Sequence, residues 1–208
     1  MKRLYSAKAL HFMDFTSAKT YILQRLRTEL SEKLTYHSYQ HTLEVLRAVK
    51  EIADAEKIFG EALHLLETAA AFHDAGFLRT YQEHEQAGCL IAREQLPRFG
   101  YSDKQISRIC EMILSTRIPQ SPGSHLAKIL CDADLYYLGQ DDFYATGQSL
   151  FHEFRERGIV NNEEEWNRLQ VRFLESHQYF TRTAIERRAM RKAQHLAEVK
   201  AIVDSYAA

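Results

Sequence analysis

Glycine and proline are scarce in this chain, 8 and 3 of its 208 residues, and valine and isoleucine are too few and too scattered to build strands. That shortage excludes a sheet-based fold and leaves helix following helix, an all-α chain. No stretch of about 18 consecutive apolar residues occurs, which excludes a spanning helix. The opening MKRLYSAKALHFMDF is too polar for a secretory leader. Neither sign of charge dominates: 27 basic residues stand against 28 acidic ones, so no global field draws extended nucleic acid, although a local basic pocket can still hold a phosphate. The three cysteines, Cys89, Cys110 and Cys131, lack zinc-ribbon spacing and sit among apolar neighbours. They read as reduced core residues of a cytoplasmic protein. There is no P-loop, no GxGxxG and no nucleophile elbow.

What is present is apolar residues at helical spacing. A first helix is expected from Asp14–Ser17, with Ile22, Leu23, Leu26 and Leu30 on one face, and a second from Thr35 through Ile52. The third, about Glu61 to Ala75, is apolar nearly all round and so belongs at the centre of a bundle, with Gly76 as its C-terminal stop. A fourth runs from about Glu83 to Leu96. Ser102 with Gln105 forms a capping box for a fifth, and His125 to Leu138 follows the loop IPQSPGS. Three further helices are expected at about Asp142–Arg157, Asn162–Tyr179 and Arg182–Ser205. With no linker-like stretch before them, the chain reads as one domain with a core at about 34–140 and a helical extension at about 141–208.

The third helix ends in a chemical anomaly. In LHLLETAAAFHDAGF an imidazole and a carboxylate, His73 and Asp74, emerge together from an Ala-rich apolar run. Burying them is costly unless they coordinate a cation or complete a hydrogen-bond network. Upstream, YHSYQHT puts His37 and His41 one helical turn apart, and downstream CDADLYYLG supplies Asp132 and Asp134. Taken singly, each such residue reads as a cap or a hydrogen-bonded core group.

The order His41, His73-Asp74, Asp134 resembles the HD superfamily of metal-dependent phosphohydrolases, from about Leu34 to about Gly139. The resemblance implies an HD-type helical bundle. It also implies a divalent metal (Mn, Fe, Co, Ni, Zn or Mg) held by His41, His73, Asp74 and Asp134, with Asp74 positioned to bridge two ions or orient the attacking water. Asp132 reads as an acceptor behind that set. The substrate implied is a small phosphorylated molecule, a nucleotide or cyclic nucleotide first. YHSYQHT is also similar to a stretch of class I cyclic-nucleotide phosphodiesterases in which the residue matching His37 protonates the leaving oxygen, with Ser38 here in place of asparagine. HEQAGCLIAREQL resembles the corresponding stretch of HD-GYP proteins, where the match to His84 helps hold a second metal. The GYP signature and the paired histidines of that subgroup are absent.

Arg117 and Arg79 are candidates to contact phosphate through a guanidinium fork, with surface solvation the simpler reading for Arg79. The tail's aromatics, Phe154 and Trp166 among them, read as packing of the extension rather than as a stacking platform. The run RTAIERRAMRKAQH reads as a solvated face. The alternative to an enzyme is a non-catalytic, metal-binding sensor or interaction module, whose extension caps the site, binds a partner or forms a homodimer.

Overall fold

The computed structural model of the chain describes residues 13–207; the leader reading concerns a stretch of which residues 1–12 lie outside that range. Among the described residues there are nine α-helices and no strand: α1 (Phe15–Glu29), α2 (Tyr39–Ala55), α3 (Gly60–Phe72), α4 (His84–Gln95), α5 (Asp103–Ser115), α6 (His125–Asp134), α7 (Phe143–Glu156), α8 (Glu163–Ser176) and α9 (Arg182–Ser205). Short polar side chains set most of the starts. Asp14, Ser38, Ser102, Ser124, Asn162 and Thr181 each accept a hydrogen bond from an N–H of the following first turn, which satisfies a donor the helix itself leaves unpaired. The expected capping box of Ser102 and Gln105 is complete.

As its composition predicts, α3 is the central helix. Every residue from Leu65 to Phe72 is buried, and the helix packs on α1, α2, α5 and α6. The lone hydroxyl in this stretch, Thr68, is satisfied by the His64 carbonyl and Tyr101 Oη, both at 2.7 Å.

Helix boundaries near the site differ from the sequence reading for identifiable reasons. The second helix begins at Tyr39 rather than Thr35, because the N–H groups of Tyr36 and His37 donate to Glu153 Oε2 at 3.0 and 3.1 Å and Ser38 becomes the cap. The third stops at Phe72, and the chain then tightens into a 3-10 turn over Ala75–Leu78. Gly76 is therefore not a left-handed helix stop. A Cβ there would lie 1.8 Å from the His84 carbonyl oxygen and 2.8 Å from Gly88 N, so glycine lets α4 close directly onto the turn that follows the His-Asp doublet. The sixth helix likewise ends at Asp134, with a 3-10 turn following at Tyr136–Gly139.

The last helices are tied to this frame by a buried carboxylate. Asp132 accepts from the backbone of Phe180 and Thr181 and from Thr181 Oγ1 at 2.7–2.8 Å, fastening α6 to the start of α9. Apolar residues of α7–α9 gather into two small clusters beside the main core, one around Leu138, Phe143 and Leu174 and the other around Phe151, Val160 and Trp166. The three cysteines are free and buried.

Candidate metal centre

Four elements end at one place. His41 lies in the first turn of α2, fixed by its N–H bond to Ser38 Oγ; His73 and Asp74 follow α3; Asp134 is the last residue of α6; His84 is the first of α4. His41 Nε2 stands 3.2 Å from Asp134 Oδ1 and 3.6 Å from Asp74 Oδ2. His73 Nε2 stands 3.2 Å from Asp74 Oδ2 and 3.5 Å from Asp134 Oδ1. The ligand atoms of His41, His73 and Asp134 all fall within 4.8 Å of one another.

The hydrogen bonding of this cluster is incomplete in a telling way. His73 Nδ1 is 2.7 Å from the Ala70 carbonyl, so its N–H donates there and Nε2 turns its lone pair toward the two carboxylates. His73 Nε2 and Asp74 Oδ2 are both buried with no aligned hydrogen-bond partner. Lone pairs that converge in a buried site need a proton or a cation between them. Two imidazoles and two carboxylates are a donor set that suits a divalent first-row cation, so the residues fit the metal that the sequence implies.

The electrostatics carry the same message. Burial by itself pushes the Asp74 carboxyl up, but the imidazoles of His73, His37 and His41 outweigh it and hold the group well below the usual carboxylate range. Asp134 is drawn to about 2 by its hydrogen bond with His41 and by the nearby His73 imidazole, against the same burial. Burial lowers His73, yet the Asp74 charge and the two carboxylate contacts lift it well above the usual imidazole value. The two carboxylates stay ionised and hold positive charge beside them, on the imidazoles or on a cation.

Two histidines flank the cluster. His84 Nε2 lies 3.7 Å from Asp74 Oδ1 and 3.5 Å from Glu85 Oε1, with its ring stacked on Phe77 at 4.0 Å. The two oxygens of Asp74 thus face different histidines. His37 Nδ1 lies 2.5 Å from Glu153 Oε1; burial lowers its pKa, but the bond to Glu153 and the charge of Asp74 prevail and raise it.

Glu153, fully buried in α7, is the residue of the candidate site that the sequence reading left out. The only local signal was a carboxylate one turn from Leu150 and beside Phe154 on the helix's apolar side.

The remaining candidates lie elsewhere. Asp132 spends both oxygens on Phe180 and Thr181. Arg79 pairs with Glu94 on the surface. Arg117 is exposed, 3.9 Å from Glu83 Oε1; its neighbours Thr116 and Ile118 line the cavity beside the cluster, and its own side chain does not.

That cavity, about 320 Å³, has Asp74, Asp134, His37 and His84 at one end and residues of α7 and α8 along its walls. The tail aromatics Phe143 and Trp166 do pack in the clusters of the extension, as expected, but they also face this space.

Comparison with known proteins agrees with this geometry. No curated protein matches the sequence. A crystal structure of a predicted HD superfamily hydrolase from an uncultured Thermotogales bacterium superposes with a TM-score of 0.60 over 92% of each chain at 21% identity, a likeness of fold. Residues 38–138 match the family model of the HD domain, a span that contains His41, His73, Asp74, His84 and Asp134, and the chain is accordingly an HD-domain protein.

Proposed function

We propose that the protein is a metal-dependent phosphohydrolase acting on a phosphate ester of a small molecule. The observation that carries this reading is the pair of buried, unpartnered atoms His73 Nε2 and Asp74 Oδ2, turned toward His41 and Asp134. His41, His73, Asp74 and Asp134 would hold the cation, and His84 with Asp74 Oδ1 would take part in holding a second. A divalent cation in such a site polarises a phosphoryl oxygen and lowers the pKa of water.

The remaining work falls to side chains. Glu153 takes the N–H of His37 Nδ1 and so leaves Nε2 as the ring nitrogen free to serve the substrate. The bond to Glu153 and the charge of Asp74 raise its pKa, which favours the imidazolium form with a second proton on Nε2. As water adds to phosphorus and the ester P–O bond breaks, His37 passes that proton to the departing oxygen, the role of a general acid. Arg117, exposed beside Glu83 and outside the cavity lining, would have to swing inward to meet a phosphate. The buried free cysteines suit a reducing, cytoplasmic setting, and no helix among the described residues is long and apolar enough to cross a membrane.

The test is phosphate release by the purified protein with Mn, Mg, Co, Ni, Fe or Zn, from a panel headed by nucleotides and cyclic nucleotides and extended to simple phosphomonoesters and diesters. Turnover that EDTA abolishes and a metal restores supports the reading. Tight metal binding with no turnover of any ester would favour a non-catalytic sensor instead.

A further inference from the structure

The cavity leading away from the metal centre has a chemistry that narrows the substrate. Apart from the residues at the metal end, Asp74, Asp134, His37, His84 and Glu85, its only polar side chains are Tyr36, Tyr137, Thr116 and Gln170, and among the described residues no lysine or arginine lines it. Two of these already have partners. Thr116 Oγ1 donates to the Ile113 carbonyl and Gln170 Nε2 to Asn167 Oδ1. The rest of the wall is aliphatic and aromatic, including Leu150, Phe154, Trp166, Leu169 and Phe173.

A space of this size is no packing defect, since protein interiors keep few voids larger than a water molecule. At about 320 Å³ it lies within the range of small-molecule sites. An apolar cavity of about 150 Å³ holds a benzene-sized molecule, so this one has room for about two such groups or an alkyl chain of similar bulk. A second or third phosphate in it would be desolvated with no cation to meet it, and the hydroxyls and base edge of a nucleoside would find few partners.

We propose that this chamber holds the uncharged, apolar body of the substrate, an alkyl or aryl group carrying a single phosphate that sits at the metal end. The assignment rests on the phosphohydrolase reading for the head group and on the cavity alone for the body. The helical extension then has a defined role: α7 and α8 build the pocket that selects the ester.

Trp166, the chain's single tryptophan, lines the chamber and reports its occupancy. The experiment titrates methyl, butyl, hexyl and octyl phosphate, and AMP for comparison, into the intact protein while Trp166 emission is followed, with and without Mn, and phosphate release is measured in parallel. Each added methylene should lower the half-saturating concentration about fourfold until the chamber is full, and AMP should bind more weakly than hexyl phosphate. Leu169→Arg, which puts a charged side chain in the chamber wall, should erase the dependence on chain length; if that variant does not fold, the wild-type series decides. Equal affinity along the series, or AMP binding tighter than hexyl phosphate, overturns the proposal even if esters are hydrolysed. Chain-length-dependent binding without phosphate release supports the chamber and overturns the hydrolytic reading on which the head group rests.

Discussion

His37 and Glu153, 116 residues apart in sequence, meet at 2.5 Å between Nδ1 and Oε1. The other oxygen of Glu153 accepts the backbone N–H groups of Tyr36 and His37, so one buried carboxylate fixes both the segment and the ring. Replacing Glu153 with Gln keeps the bulk and removes the charge. We expect metal binding to persist while hydrolysis of an ester with a poor leaving group slows, on the order of 10²-fold. A nitrophenyl ester should be slowed far less, because its leaving group departs without a proton. Equal loss on both substrates would contradict the proton-donor role.

The pH dependence of that step has a definite sign. Because the pKa of His37 is raised, its acid form persists to higher pH than that of an ordinary imidazole. The rate with a poor leaving group should fall as pH rises through this pKa, and in Glu153→Gln the fall should move to lower pH. A limb that does not move would mean that another group supplies the proton.

His177 gives an independent acid-side prediction, for stability. Burial, assisted by Lys192, lowers its pKa from 6.5 to about 4. A depressed histidine pKa means that the unfolded chain binds a proton the folded one resists. Its contribution is therefore present above about 6.5 and is lost as pH falls toward 4, on the order of 2–3 kcal/mol. Denaturant titrations of the metal-free protein across this window should be flatter for His177→Gln than for the wild type; parallel curves would contradict the assignment.

Gly76 and Gly88 test how α4 positions His84. A Cβ at Gly76 meets the His84 backbone at 1.8 Å, whereas one at Gly88 meets nothing closer than 3.2 Å. Gly76→Ala should cost about 1–3 kcal/mol, seen as a lowered Tm, and should move His84 away from Asp74. Gly88→Ala should cost less. Identical behaviour of the two variants would contradict the close-approach role.

How much could be read from the sequence depended on whether a signal was local. The capping box at Ser102, the start of the first helix near Asp14, the buried run of α3 and the all-α character depend on residues a few positions apart, and each was legible. The histidines and aspartates of the candidate site could be picked out because they interrupt apolar helical patterns. Their surroundings were not legible. Glu153 meets His37 only through the packing of α7 on the entrance to α2, and the same contact moved the start of α2 from Thr35 to Tyr39. Gly76 follows an apolar helix as a stop would, and only the position of α4 reveals its purpose. The apolar chamber is made by side chains of separate helices facing one another, an arrangement that leaves no periodic signature distinguishable from ordinary core packing.

The central claim is that His41, His73, Asp74 and Asp134 form one cation centre, and anomalous diffraction from crystals grown with Mn tests it most directly. The account predicts a peak within about 2.0–2.4 Å of His41 Nε2, His73 Nε2, Asp74 Oδ2 and Asp134 Oδ1, lost in Asp74→Ala. Mn bound elsewhere, or these four side chains turned into separate environments at saturating metal, would contradict it.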